Sequence, residues 1–213
     1  MNPDNPCVSA PVYHEGMRAL QDRFDTRRLA DRLDETLGHD SFTPDDRAFI
    51  EARPFFFLAT ADTGARPDCS YKGGAPGFVR VTGASELLFP SYDGNGMFRS
   101  IGNVLANPPV GLLFIDFERG RRLRVNGVAS VVDDDPSMAG FEGAQLLVRV
   151  TAQRIFPNCP RYIHDGRDGE VSKYVPRDGY VPPAPKWKSF DMFSDVLPGG
   201  DPARRHGEDP PAG

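Results

Sequence analysis

Val110–Phe156 reads VGLLFIDFERGRRLRVNGVASVVDDDPSMAGFEGAQLLVRVTAQRIF. Three runs within it, VGLLFIDF, RLRVNGVASVV and QLLVRVTAQRIF, concentrate Val, Ile, Leu and Phe. Branched and aromatic side chains favour the pleated backbone, where they pack against cross-strand neighbours. These runs are the strongest strand predictions in the chain. DDDPSMAGFEG, between the last two, is predicted to be a short helical connection opened by Asp135 and Pro136.

Upstream the pattern continues in shorter pieces. FFFLATA (55–61) is an apolar β-prone run and DTGARP is a turn. DCSYK, GFVRV and ELLF follow as short strands between Gly and Pro punctuation. Six or seven closely spaced strands with little helix between them predict an antiparallel barrel or sandwich, not a parallel α/β sheet. Before the strands, Met17, Leu20, Phe24, Leu29, Leu33 and Leu37 recur at mostly helical spacing, predicting one or two surface helices with a single buried stripe. A further helix has Thr43 as N-cap, Pro44 in the first helical position and Asp46 at the capping-box acid, and should end before Pro54. Beyond Cys159 the chain is rich in Pro, Gly, Asp and Arg, with Tyr162, Tyr174, Trp187 and Phe190 as scattered anchors. The expected organisation is a helical extension over 1–46, a barrel over 47–163 and a loop-rich extension over 164–213. The last ~15 residues are expected to be disordered, because their composition buries little apolar surface.

The 213 residues fit one substantial domain, and the net charge of −5 argues against nucleic-acid binding through a broad basic surface. Cys7, Cys69 and Cys159 are odd in number and far apart, which speaks against a disulfide framework and against a structural metal site. No segment approaches the ~20 apolar residues of a membrane span, and the N-terminal stretch lacks a signal-like apolar run. A soluble, cytoplasmic protein is expected.

The stretch SYDGNGMFRSIGNVLANP (91–108) carries the clearest chemistry. A helix beginning near Met97 would aim unpaired N–H groups at the GNG loop, a setting that suits a phosphate, and Arg99 and Ser100 would add hydrogen bonds. A Gly-rich loop opening an ordinary helix would look the same. The glycine spacing fails the G-x-G-x-x-G fingerprint, and no P-loop, G-x-S-x-G or HExxH is present. His14, His39, His164 and His206 all lie in flanking segments, so a histidine-based mechanism has no visible home. An enzyme of this composition would rely on a cofactor for its chemistry. Asp68, Ser70 and Lys72 alternate along one strand face, as do Arg122 and Arg124 along another; either row reads equally as a solvated face.

Taken in order, these pieces resemble a known family. Leu58-Ala59-Thr60, Gly64 to Pro67, Lys72-Gly73, Ser91 to Ser100, Asn107-Pro108 and Arg124 to Gly127 match the run of motifs in the pyridoxamine 5′-phosphate oxidase superfamily, over about Arg47 to Ile163. The segment FPNCPRYI (156–163) resembles the one that follows the last barrel strand in that superfamily. The resemblance implies a mainly β fold, the antiparallel Greek-key FMN-binding split barrel with flanking helices. It also implies a homodimer with the flavin at the subunit interface and a small-molecule substrate.

The resemblance assigns cofactor contacts to Ser70, Tyr71, Lys72 and Gly73 on the strand and to Ser91, Asn95 and Met97 before the helix. Arg99, Ser100 and Asn103 follow on the helix, with Arg99 and Ser100 at the FMN phosphate. Arg122 is assigned on the next strand, and Arg161 and Trp187 are placed to close over the partner's flavin. No catalytic residue is assigned. The implied activity is FMN-dependent hydride transfer at flavin N5 to or from a small molecule. A non-catalytic flavin carrier or redox sensor, or a member using F420 or haem, is the alternative. Two departures set the chain apart from authentic pyridoxamine phosphate oxidases: Ser70 stands on the strand where those enzymes carry a second arginine, and PKWKSFD replaces their Trp-Arg-rich C-terminal motif. Pyridoxamine phosphate is therefore not the expected substrate.

Overall fold

The computed structural model describes residues 12–133, 136–164, 173, 180–201 and 203–204. Cys7, Asp135, Tyr174, His206 and most of the C-terminal stretch expected to be disordered lie outside these residues. The chain divides into two compact units, one of residues 37–182 and one of residues 1–36 with 183–213.

The larger unit opens with α3 (Pro44–Glu51), whose start is a complete capping box. The Thr43 hydroxyl accepts from the Asp46 N–H, and the Asp46 carboxylate accepts from the Thr43 N–H. Each group satisfies one donor left unpaired at the helix start. The helix stops at Glu51, ahead of Pro54, as the sequence predicts.

Seven strands follow: β1 (Phe55–Ala61), β2 (Pro67–Gly73), β3 (Arg80–Val81), β4 (Glu86–Tyr92), β5 (Pro109–Asp116), β6 (Arg121–Val132) and β7 (Ala144–Asn158). They form one sheet in the order β2-β1-β5-β6-β7-β4-β3, every pairing antiparallel. Consecutive strands β5, β6 and β7 form a meander, and β4 lies beside β7 instead of its chain neighbour β5. That is the Greek-key order. The fold is mainly β with flanking helices, the class the sequence predicts. GFVRV contributes only the two residues of β3. The connection after β6 is a short 3-10 helix over Pro136–Gly140.

Period-two burial along β5 and β6 sends Val110, Leu112, Phe114, Leu123, Val125 and Ala129 to one side, where they share a core with residues of every other strand but β2. The sheet rolls up to achieve this. The Phe56 ring on β1 meets the Phe89 ring on β4 edge-on, with centroids 5.0 Å apart, although three strands separate β1 from β4 in the sheet. A flat sheet could not bring those rings together. Gly127 sits where the register between β6 and β7 shifts, and a Cβ there would fall 2.2 Å from the Thr151 carbonyl oxygen.

In the smaller unit, α1 (Glu15–Arg23) buries no residue and α2 (Arg27–Leu37) buries Leu29. Leu29 packs with Phe193, Val196 and Leu197, so the predicted apolar stripe is narrower than its spacing suggests. Trp187 packs edge-on against Phe193 in the same cluster, at 5.6 Å between centroids.

Candidate functional site

The site begins at the edge strand β2. Alternation turns Asp68, Ser70 and Lys72 to one face, each half-buried, and leaves Cys69 and Tyr71 exposed on the other. Across from this face stands α4 (Arg99–Ala106), eight residues long. Its start lies two residues later than the sequence predicts, for a backbone reason. Gly96 and Phe98 both take positive φ, 72° and 49°, so the chain cannot be helical until Arg99. Phe98 is the N-cap and offers no side-chain acceptor, so the N–H groups of the first turn are uncapped. A bulky residue held in the left-handed region costs of order 1–3 kcal/mol, and such strain clusters at ligand sites.

Strand face and helix start are tied together. Ser100 Oγ lies 2.8 Å from Ser70 Oγ and 3.1 Å from Asp68 Oδ2, and Arg99 Nη2 lies 3.3 Å from Asp68 Oδ1. One turn on, Asn103 donates to Thr60 Oγ1 on β1 at 3.0 Å. Before the helix, the Asn95 side chain accepts from the Met97 N–H at 3.1 Å and shapes the loop.

Between these elements is a cavity of ≈ 350 Å³. Its walls are β2 from Asp68 to Lys72, the end of β4 at Ser91 and Tyr92, and the loop and helix start from Gly94 to Ile101. Burial pulls the Lys72 ammonium below its usual pKa, and the nearby Asp68 carboxylate partly offsets this. No described residue makes a hydrogen bond or ion pair with that ammonium. A second cavity of ≈ 290 Å³ is lined by Asp62, Arg66, Pro67, Asp68, Arg99 and Asn103. Asp68 and Arg99 line both cavities.

Of the residues assigned from the sequence, Ser70, Tyr71, Lys72, Ser91, Asn95, Met97, Arg99 and Ser100 gather around the first cavity, and Asn103 lines the second. Gly73 ends β2 next to Lys72. Arg122 lies outside both linings; it sits on β6 and donates to the Cys159 carbonyl at 2.8 Å. Arg161 also lies outside them, its guanidinium 5.9 Å from the centre of the Tyr162 ring. Trp187 belongs to the smaller unit. Asp68, Tyr92 and Phe98 are lining residues absent from the sequence assignment. For Asp68 the signal was present, since it shares the period-two face of Ser70 and Lys72.

The donor set fits a phosphate-bearing ligand. A half-buried ammonium with no hydrogen bond or ion pair among the described residues, an exposed guanidinium, two hydroxyls and an uncapped helix start converge on one cavity as groups suited to negative charge, alongside the Asp68 carboxylate. The cavity size lies within the usual range of ≈ 300–1,000 Å³ for small-molecule sites.

Residues 42–161 match the family model described as pyridoxamine 5′-phosphate oxidase. Among curated proteins, no sequence matches the chain. Among solved structures, HupZ of Group A Streptococcus aligns with 62% of this chain and 98% of its own at 16% identity and a TM-score of 0.44. HutZ, described as the heme storage protein of Vibrio cholerae, aligns with 55% and 94% at 22% identity and a TM-score of 0.41. An FMN-binding protein of Syntrophomonas wolfei subsp. wolfei aligns with 68% and 96% at 10% identity and a TM-score of 0.43.

Proposed function

The chain belongs to the pyridoxamine 5′-phosphate oxidase family, and from that premise we propose that it is an FMN-dependent oxidoreductase acting on a small organic molecule. The observation that carries this reading is the Lys72 ammonium, half-buried at the cavity wall and without a partner among the described residues. A desolvated cation is costly unless negative charge meets it, and Asp68 offsets only part of that cost, so the arrangement makes sense around a ligand that brings further negative charge.

In this reading Arg99, the Ser100 hydroxyl and the first-turn N–H groups of α4 hold the phosphate. Ser70, Tyr71 and Lys72 would line the flavin ring, where the Lys72 cation would favour the anionic reduced form. The flavin, when bound, would supply hydride transfer at N5. The chain's own contribution would be to anchor, orient and polarise the cofactor.

We further propose a homodimer built on the outer face of β1 and β2. Phe55 stacks on Tyr71 at 5.3 Å and on Phe117 at 6.1 Å, and Phe57 meets Tyr71 edge-on at 6.0 Å. Tyr71 and Phe117 remain 62% and 40% exposed in the single chain, so this aromatic cluster is available to a second copy. Tyr71 also lines the cavity, which would put such a partner beside the cofactor. No described helix is long and apolar enough to cross a membrane.

The test is the absorbance spectrum of the purified protein, with mass identification of whatever is released on denaturation. Flavin bands and released FMN are expected, followed by NAD(P)H-driven bleaching of the bound flavin. A Soret band, a released F420, or failure to take up added FMN would each refute the cofactor assignment. Flavin that is bound but inert across a broad panel of acceptors would favour a carrier or sensor. Sedimentation should give a dimer.

A further inference from the structure

Within the flavin reading, we infer that Asp68 is the specificity-determining residue of the phosphate end, a carboxylate of the chain standing where the ligand's phosphate has to bind. The geometry is specific. One Asp68 oxygen pairs with Arg99 Nη2 at 3.3 Å, and the other lies 3.1 Å from Ser100 Oγ. These are the two side chains of the helix start best suited to an anion. Asp68 thus occupies both of them from the opposite wall of the cavity.

The two partners differ in burial. The Asp68 side chain is only 16% exposed, whereas that of Arg99 is 64% exposed. Asp68 is pinned on a strand paired to β1, opposite Thr60, so its backbone cannot move away without breaking the ladder. The Arg99 guanidinium is largely exposed, so it can be drawn off the pair at less cost than Asp68 can. The same ion pair forms part of the boundary between the two cavities, since both residues line each of them. A phosphate reaching the helix start has to draw Arg99 off Asp68 and then remain close to a fixed negative charge. Like charges at such close range repel one another, and the repulsion opposes phosphate binding.

Asp68 therefore lowers affinity chiefly at the phosphate, while at the ring end its charge helps hold the Lys72 ammonium. It selects for ligands whose phosphate recruits Arg99 strongly enough to displace the internal pair. A ligand of the same ring without the phosphate, such as riboflavin, escapes the like-charge repulsion at position 68. On this account the chain tunes its cofactor toward exchange, not permanent retention.

The experiment measures dissociation constants for FMN and for riboflavin, by flavin fluorescence quenching, on the wild type, Asp68→Asn and Asp68→Ser. Inorganic phosphate serves as competitor. Near-UV circular dichroism checks the fold, and the serine variant stands in if the asparagine variant misfolds. FMN affinity is expected to rise about tenfold in the variants while riboflavin affinity changes by less than about twofold, the signature of a removed like charge. Phosphate should also compete better against FMN in the variants. If the wild type binds FMN and the variants bind it no tighter, or more weakly, Asp68 positions Arg99 instead and the inference falls while the flavin reading stands. If no form binds either flavin, the flavin reading falls and takes the inference with it.

Discussion

Ser100 Oγ stands 2.8 Å from Ser70 Oγ, joining the first turn of α4 to the middle of β2 across 30 residues of sequence. Ser100 is buried, and its hydroxyl is the direct bridge between the two walls of the cavity at that point. Ser100→Ala is expected to cost about 1 kcal/mol of stability, the usual worth of such a hydrogen bond, and to weaken FMN binding as the walls loosen. Urea unfolding and flavin titration of the same variant check both effects; a variant as stable and as tight-binding as the wild type contradicts the bridge.

Arg99→Ala should weaken FMN binding by roughly 1–3 kcal/mol, the range for a lost charge-assisted hydrogen bond. Its side chain is 64% exposed, so folding stability should barely change. Riboflavin, which lacks the phosphate, should bind the variant as it binds the wild type. Equal losses for the two flavins would show that Arg99 acts on the ring and not on the phosphate.

Lys72 carries a pH signature. Burial, offset in part by Asp68, holds its folded pKa below the ordinary value of 10.5. The folded chain therefore releases this proton at a lower pH than the unfolded chain. The burial penalty is felt in full below the folded pKa and is relieved as pH rises from there toward 10.5, so stability gains with pH over that interval. Lys72→Met should be more stable than the wild type at neutral pH, with the gap closing in the alkaline range. Reduction of bound FMN to its anionic hydroquinone should raise the Lys72 pKa, as seen by NMR of the labelled ammonium. A titration unmoved by that reduction would show that Lys72 does not lie beside the ring.

Asp46 behaves in the opposite sense. Burial alone would raise its pKa, but hydrogen bonds from the Thr43 side chain and backbone and from His39 outweigh burial and hold it below the usual carboxylate range. A depressed carboxylate contributes stability that is present above its unfolded pKa and is lost as pH falls through the folded one. Asp46→Asn is expected to cost about 1–2 kcal/mol at neutral pH, and the cost should shrink in strong acid. A cost that persists unchanged to low pH would mean the charge is irrelevant.

Gly127→Ala should destabilise the barrel by roughly 3 kcal/mol, since the added Cβ would press on the Thr151 carbonyl of the neighbouring strand and the bulge would have to reopen. Thermal unfolding measures this directly, and a variant with an unchanged midpoint would show that the bulge relaxes freely.

What the sequence determined by itself is local. The β-branched runs from Val110 to Phe156 became β5, β6 and β7, and Thr43, Pro44 and Asp46 announced a capping box that the structure contains. Propensity, turn chemistry and capping act over a few residues, so they can be read without knowing what lies beside them. The period-two face of Asp68, Ser70 and Lys72 was legible on the same ground, as was the Gly-rich approach to Arg99 and Ser100. Tertiary structure decided the rest. Only the rolled sheet brings Phe56 against Phe89, and only the Greek-key order sets α4 against β2, so that Asp68 meets Arg99 and Ser100. The late start of α4 depended on positive φ at Phe98, a conformation no propensity would assign to phenylalanine. Those outcomes depend on contacts between distant segments, whose energies appear only once the whole chain has closed upon itself. A strand shows which residues share a face; the fold decides what that face meets.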